Sequence, residues 1–193
     1  MEERKFNYRL GILVFFAVTI FLVLFSLWQN DSILKTGDPT QPAVGLPAPD
    51  FTFPELSGKM ISLSDYKGQV VLVNIWATWC PPCVAEMPSM ERLYQELQNE
   101  KFAILAVSID AKGSQIVAPF MKKYKLTFPA LIDAEGKMKT TYKATGVPES
   151  FIIDQNGILI KKIIGPRDWA APEIFRFFRD LIQRPPPPQS NKR

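Results

Sequence analysis

The chain has 193 residues, 47% hydrophobic, 22% charged and 12% aromatic, a balance too apolar for a disordered protein and too varied for a fibrous one. Its 23 basic and 19 acidic side chains leave a net charge of +4 spread along the sequence, without the clustering that a nucleic-acid footprint requires. Histidine is absent, which excludes Ser-His-Asp and Cys-His catalysis and His-ligated zinc, and the two cysteines, Cys80 and Cys83, share one four-residue motif rather than a disulfide framework.

Residues 10–28 (LGILVFFAVTIFLVLFSLW) form an uncharged apolar run long enough, at about 1.5 Å per residue, to cross a hydrocarbon layer of about 30 Å. Arg4, Lys5 and Arg9 precede it and Gln29, Asn30 and Asp31 follow it. The positive-inside rule therefore predicts a cytoplasmic N-terminus (1–9), a single transmembrane anchor (10–28) and everything beyond on the outer face of the membrane. No small-x-small site follows the run, so an uncleaved anchor is expected rather than a signal peptide. Residues 29–44 read as a linker, 45–184 as one domain, and 185–193, opening on Pro185 to Pro188, as a disordered proline-rich tail.

Within the domain, strand and helix patterns alternate. Gln69 to Trp76 is a near-continuous β-branched run suited to a strand covered on both faces. Pro81 to about Asn99 has helical spacing, with Val84, Met87, Met90, Leu93, Tyr94 and Leu97 on its apolar face. Phe102 to Ile109 is a second buried strand, and the strand-helix-strand order implies a parallel crossover. Ser114 to Tyr124 predicts a helix capped by Ser114, with Pro119 set to kink or shorten it. Phe151 to Asp154 and Ile158 to Ile164, joined by Gln155-Asn156-Gly157, predict an antiparallel hairpin. Pro172 to Gln183 predicts a last helix that lays Ile174, Phe175, Phe178, Leu181 and Ile182 on the sheet.

Cys80-Pro81-Pro82-Cys83 falls where the first long strand meets the first helix. At a helix N-terminus the unsatisfied N–H groups and the positive end of the macrodipole stabilise a thiolate, the attacking species in disulfide exchange. Neither proline has an N–H, so the Cys83 N–H is the nearest donor to the Cys80 sulfur, which makes Cys80 the nucleophile. Residues three apart on a helix lie about 5–6 Å apart, so Cys83 can resolve a mixed disulfide. A ring this short makes a poor structural staple. Copper(I) handling by the soft thiolates is the non-enzymatic alternative.

Trp76-Ala77-Thr78-Trp79-Cys80-Pro81-Pro82-Cys83, followed by Pro88, resembles the active-site stretch of the thioredoxin superfamily. Pro47-Ala48-Pro49-Asp50-Phe51, Glu86 with Met87-Pro88, and the inserted segment from Ser108 to Thr140 are similar to the membrane-anchored TlpA, ResA and DsbE (CcmG) branch. Gly146-Val147-Pro148-Glu149-Ser150-Phe151 resembles the proline loop of the DsbE subgroup. The resemblance implies an α/β thioredoxin-like fold, a central mixed sheet flanked by helices, with an N-terminal β-hairpin and a central inserted helix-strand.

By the same resemblance Cys80 and Cys83 are the redox-active disulfide, Glu86 an acid-base group, and Trp79, Pro81, Pro82, Val147 and Pro148 the client-binding surface, with Val147-Pro148 in cis. Trp76 and Trp79 read as packing and shielding groups. Asn74 departs from the buried acid that thioredoxins carry two residues before the motif's first Trp. That departure leaves Glu86, one turn from Cys83, as the acid-base candidate. Lys67, Glu149 and Arg167 are further charges that could meet a partner. The implied activity is an extracytoplasmic thiol-disulfide oxidoreductase without a cofactor. Its implied clients are disulfide-containing proteins, apocytochrome c foremost during cytochrome c maturation, and a membrane thiol donor of the DsbD/CcdA kind would re-reduce it. A general envelope disulfide reductase is the alternative. A peroxidase is disfavoured: its PxxxTxxC pattern would need proline at Val73 and threonine at Ala77.

Overall fold

The computed structural model describes residues 18–21, 25 and 42–184. The predicted N-terminal segment, most of the anchor and linker, and the tail lie outside the described residues. Residues 18–21 and 25 are helical, and among the described residues no helix is long and apolar enough to cross a membrane. The chain divides into two units, Met1–Asp38 and Pro39–Arg193. In the first, the rings of Phe21 and Phe25, one turn apart, stack with centroids 6.1 Å apart.

The second unit is built on a five-stranded mixed sheet. Its elements are β1 (Thr52–Pro54), β2 (Met60–Ser62), a short 3-10 turn (Leu63–Tyr66), β3 (Val70–Trp76), α1 (Pro81–Leu97), β4 (Phe102–Ser108), α2 (Ser114–Tyr124), β5 (Ala130–Ile132), α3 (Lys137–Thr141), β6 (Glu149–Ile153), β7 (Leu159–Ile164) and α4 (Pro172–Gln183). The sheet runs β5-β4-β3-β6-β7, while β1 and β2 form a separate antiparallel hairpin. β3 pairs parallel with β4 and β4 with β5, whereas β6 pairs antiparallel with both β3 and β7. This is the predicted α/β arrangement of a mixed sheet flanked by helices, with α2 leading into β5 on the β4 edge.

Every residue of β3 and β4 is buried because alternate side chains enter two different cores. Val70, Leu72 and Trp76 join Ile104, Ala106 and the buried faces of α1, α2 and α4, while Val71, Val73 and Ile75 join Leu105, Val107, Phe51, Phe53, Met138 and Tyr142. Asn74 is a polar interruption on the α1 side of this pattern, and it marks the site described below. The family-like opening segment is tied down locally. Gly45 N–H donates to Leu159 O (2.8 Å), Ala48 N–H to Gly157 O (2.8 Å), and the Tyr142 hydroxyl to Pro49 O (2.6 Å).

Two expectations are corrected. The cap of α2 is Gly113 rather than Ser114, and no side chain caps it. Gly113 has φ +54, and a Cβ there would lie 3.1 Å from Ile132 Cγ2, so the turn demands glycine and Ser114 becomes the first helical residue. Pro119 sits inside α2 without shortening it, and the helix keeps its expected span, Ser114–Tyr124, before a left-handed Lys125. β6 begins at Glu149, two residues before the predicted start, because Glu149 and Ser150 are buried strand residues paired with Ile75 and Asn74. An apolar-run criterion omits such polar strand positions.

The β6–β7 hairpin and α4 form as predicted. Gly157, at φ +81, closes the turn, and Asp154 Oδ1 accepts from the Asn156 and Ile158 N–H groups, both 2.9 Å. α4 lays Phe178 against Phe102, with centroids 5.0 Å apart at 67°. Phe178 has no exposed surface, so Phe178→Ala is expected to cost about 3–5 kcal/mol, measured as a lower denaturation midpoint at an unchanged m-value.

Candidate active site

The strand-to-helix junction is set by backbone chemistry. β3 ends at Trp76, Cys80 is the N-cap of α1 in extended conformation, and Pro81 and Pro82 occupy the first helical turn. The Cys83 N–H donates to Cys80 Sγ at 3.2 Å, the donor that the two prolines leave in place. Cys80 and Cys83 are joined as a disulfide with Cα atoms 5.3 Å apart. Both are buried, at 3% and 0% exposure, while Trp79 is 63% exposed and Pro81 and Pro82 are exposed beside it. The disulfide is thus sunk beneath the exposed rings of Trp79, Pro81 and Pro82.

The opposite wall is the loop before β6. Val147-Pro148 is a cis peptide, as the resemblance implied, and the Val147 carbonyl oxygen lies 3.6 Å from Cys80 Sγ. Val147 is half-buried and Pro148 buried, and the Pro148 carbonyl accepts from Gly165 N–H at 2.9 Å. Trp76 is fully buried with its ring against Phe120 (5.1 Å), a packing role. Trp79 shares none of that packing and stands at the surface.

Glu86 is buried, 2% exposed, and faces the sheet from α1. Its Oε1 accepts from Asn74 Nδ2 (2.9 Å), and its Oε2 from Trp169 Nε1 (3.0 Å) and Arg167 N–H (3.1 Å). Asn74 Nδ2 also donates to Ser150 Oγ (2.9 Å). Burial pushes the Glu86 carboxyl up, and the hydrogen bonds from Trp169, Asn74 and the Arg167 N–H only partly oppose it. Asn74 and Glu86 therefore stand together as one buried amide-carboxylate pair where thioredoxins use a single acid.

Two further buried carboxylates bind the loops that lead to Cys80 and to Val147. Asp110, just beyond β4, accepts from Thr78 N–H (2.9 Å), Thr78 Oγ1 (2.8 Å) and Ser108 Oγ (2.7 Å). Glu149, one of the charges that could have met a partner, is fully buried. Its Oε1 accepts from Thr145 N–H (2.7 Å), Thr145 Oγ1 (2.7 Å) and Gly146 N–H (3.2 Å), and its Oε2 pairs with Lys162 Nζ at 2.9 Å. Burial raises its carboxyl, but hydrogen bonds from Lys162 and Thr145 outweigh that and hold it below the ordinary value. Asp110, Ser108, Ser150 and Trp169 were not singled out from sequence. For Asp110 a signal existed, since loops that follow neighbouring parallel strands emerge at the same end of a sheet.

Residues 44–162 match the model of the AhpC/TSA family. The chain is 40% identical over 156 residues to the thiol-disulfide oxidoreductase ResA of Bacillus cereus, covering 78% of this chain and 87% of that one. It belongs to this thioredoxin-like family, in its TlpA/ResA/DsbE branch. The thioredoxin-like protein YneN of Bacillus subtilis is 44% identical over 117 residues, 60% of this chain and 68% of that protein. Among solved structures, a Chlorobium tepidum chain described as the thiol:disulfide interchange protein DsbE superposes with a TM-score of 0.64 at 31% identity, over 73% of this chain and 96% of that one. The chain is accordingly an enzyme of thiol-disulfide exchange.

Proposed function

We propose that the chain is a membrane-tethered, extracytoplasmic reductant of protein disulfides, with apocytochrome c as its client in cytochrome c maturation. The observation that carries the reading is the Cys80–Cys83 disulfide at the start of α1, set 3.6 Å from the Val147 carbonyl. In the reduced protein, the Cys80 thiolate attacks one sulfur of the client disulfide. The client S–S bond breaks, one client thiolate leaves, and a mixed disulfide forms on Cys80. Cys83 then loses its proton, and its thiolate attacks Cys80 Sγ, releasing the second client thiolate and closing the Cys80–Cys83 disulfide. Two electrons from a membrane thiol donor of the DsbD/CcdA kind restore the dithiol.

In this reading Glu86, one turn from Cys83, takes and returns that proton, a task suited to a carboxyl raised by burial. Trp79, Pro81, Pro82 and Val147 form the surface that holds the client chain in extended form, while Pro148, expected among them, is buried. The apolar run at 10–28, with basic residues on its N-terminal side, supports the tether and its orientation. The direction of electron flow is drawn from the family, because dithiols of this type span potentials from about −270 to −120 mV.

The test is a trap. Cys83→Ala, expressed full length in its own host, should hold clients in mixed disulfides on Cys80, with apocytochromes c dominating among the captured proteins identified by mass spectrometry. A broad set of envelope proteins would instead make the enzyme a general disulfide reductase.

A further inference from the structure

The two loops that meet at the dithiol are pinned in the same manner. Two residues before Cys80, Thr78 gives its backbone N–H (2.9 Å) and its hydroxyl (2.8 Å) to the Asp110 carboxylate. Two residues before Val147, Thr145 gives its N–H (2.7 Å) and its hydroxyl (2.7 Å) to the Glu149 carboxylate. Both carboxylates have no exposed surface, whereas Thr78 is half-buried and Thr145 exposed. Each anchor is braced from behind, Asp110 by Ser108 Oγ (2.7 Å) and Glu149 by Lys162 Nζ (2.9 Å). In both loops a surface threonine reaches inward to a fixed acceptor.

A carboxylate that takes both donors of one residue fixes that residue's position and rotation together, and charge-assisted bonds in a dry setting are the strong ones. The consequence falls two residues on, at Trp79-Cys80 on one side and Val147-Pro148 on the other. Cys80 Sγ is held separately by the Cys83 N–H at 3.2 Å, so the clamps govern the walls of the gap more than the sulfur itself.

We propose that Asp110 and Glu149 are positioning residues that, through Thr78 and Thr145, set the slot in which an extended protein client lies between Trp79 and Val147. The proposal rests on the reading that Cys80 attacks the client and that the Val147 strip binds it. A loosened wall must be ordered anew by each client, and that entropic cost enters KM rather than the chemical step. A disulfide too small to span the slot does not meet the cost.

The test compares Thr78→Val and Thr145→Val, which delete the clamping hydroxyls, with Thr78→Ser and Thr145→Ser, which keep them. Insulin and hydroxyethyl disulfide serve as large and small substrates, with dithiothreitol as the electron source. Each valine variant is expected to raise KM for insulin roughly five- to tenfold while leaving kcat and the hydroxyethyl disulfide rate near wild type, and each serine variant to restore it. Equal losses on both substrates in step with a lower Tm would show a merely structural role and overturn the proposal, as would an unchanged KM in both valine variants. Should one valine variant not fold, the other clamp and both serine variants still decide it. Failure of the underlying reading looks different: insulin reduction by the wild type would then persist in Cys80→Ser, whatever the threonine variants do.

Discussion

Cys80→Ser is expected to abolish insulin-disulfide reduction, lowering the rate by more than about 10³, the scale of losing a nucleophile that forms the covalent intermediate. Serine is nearly isosteric, and its hydroxyl still accepts the Cys83 N–H, so the cap of α1 and the fold remain. What disappears is the sulfur that becomes a thiolate at the positive end of the helix. The measurement is the turbidity onset of insulin with dithiothreitol, alongside thermal unfolding of the same samples. Full activity in a folded Cys80→Ser protein would remove the nucleophile assignment.

The second large effect belongs to Glu86. Glu86→Ala removes the acceptor of two buried donors, Trp169 Nε1 and Asn74 Nδ2, the latter keeping Ser150 Oγ, and of the part-buried Arg167 N–H, and should destabilise the protein by about 3 kcal/mol. Glu86→Gln is milder, because rotation of the Asn74 amide can present its oxygen, now buried without a partner, to the new amide. The two proteins should then differ in how stability depends on pH. The folded Glu86 carboxyl lies above its ordinary value of 4.5, so the native state holds this proton more tightly than the unfolded chain. The stability that this proton contributes is fully present below the unfolded value and is lost as pH rises through the folded one. Wild type should therefore weaken relative to Glu86→Gln across that window, by about 1.4 kcal/mol for each unit that separates the two values. Urea titrations of both proteins at a series of pH values measure it, and a flat difference would refute the raised carboxyl.

Local pattern carried much of the fold. Continuous apolar runs marked β3 and β4, proline at the first helical position marked the starts of α1 and α4, and Asn156-Gly157 marked the β6–β7 turn; each is a short-range signal with its own mechanism. The signals failed where a buried position is polar. Glu149 and Ser150 belong to β6 without an apolar pattern to mark them; the start of α2 is a separate case, where the backbone needs positive φ at Gly113. Polar residues have no burial signature of their own, because what permits their burial is a partner that lies far along the chain.

The same division runs through the site. The sequence alone determined that the two sulfurs lie within bonding reach, since cap, proline placement and the second thiol all lie within the four residues Cys80 to Cys83, where helix geometry dictates distance. Glu86 stood out through the family resemblance, with its spacing placing it one turn from Cys83. Only the tertiary structure decided what surrounds them: that Asn74 and Trp169 hold Glu86, that Val147 faces Cys80, and that Asp110 and Glu149 grip the two loops. The Asn74, Trp169 and Val147 contacts join residues 12 to 83 positions from their partners, brought together when β3 pairs with β6 and the segment before α4 folds back on α1. A hydrogen bond is selected by where two groups end up in space, and no local propensity encodes that.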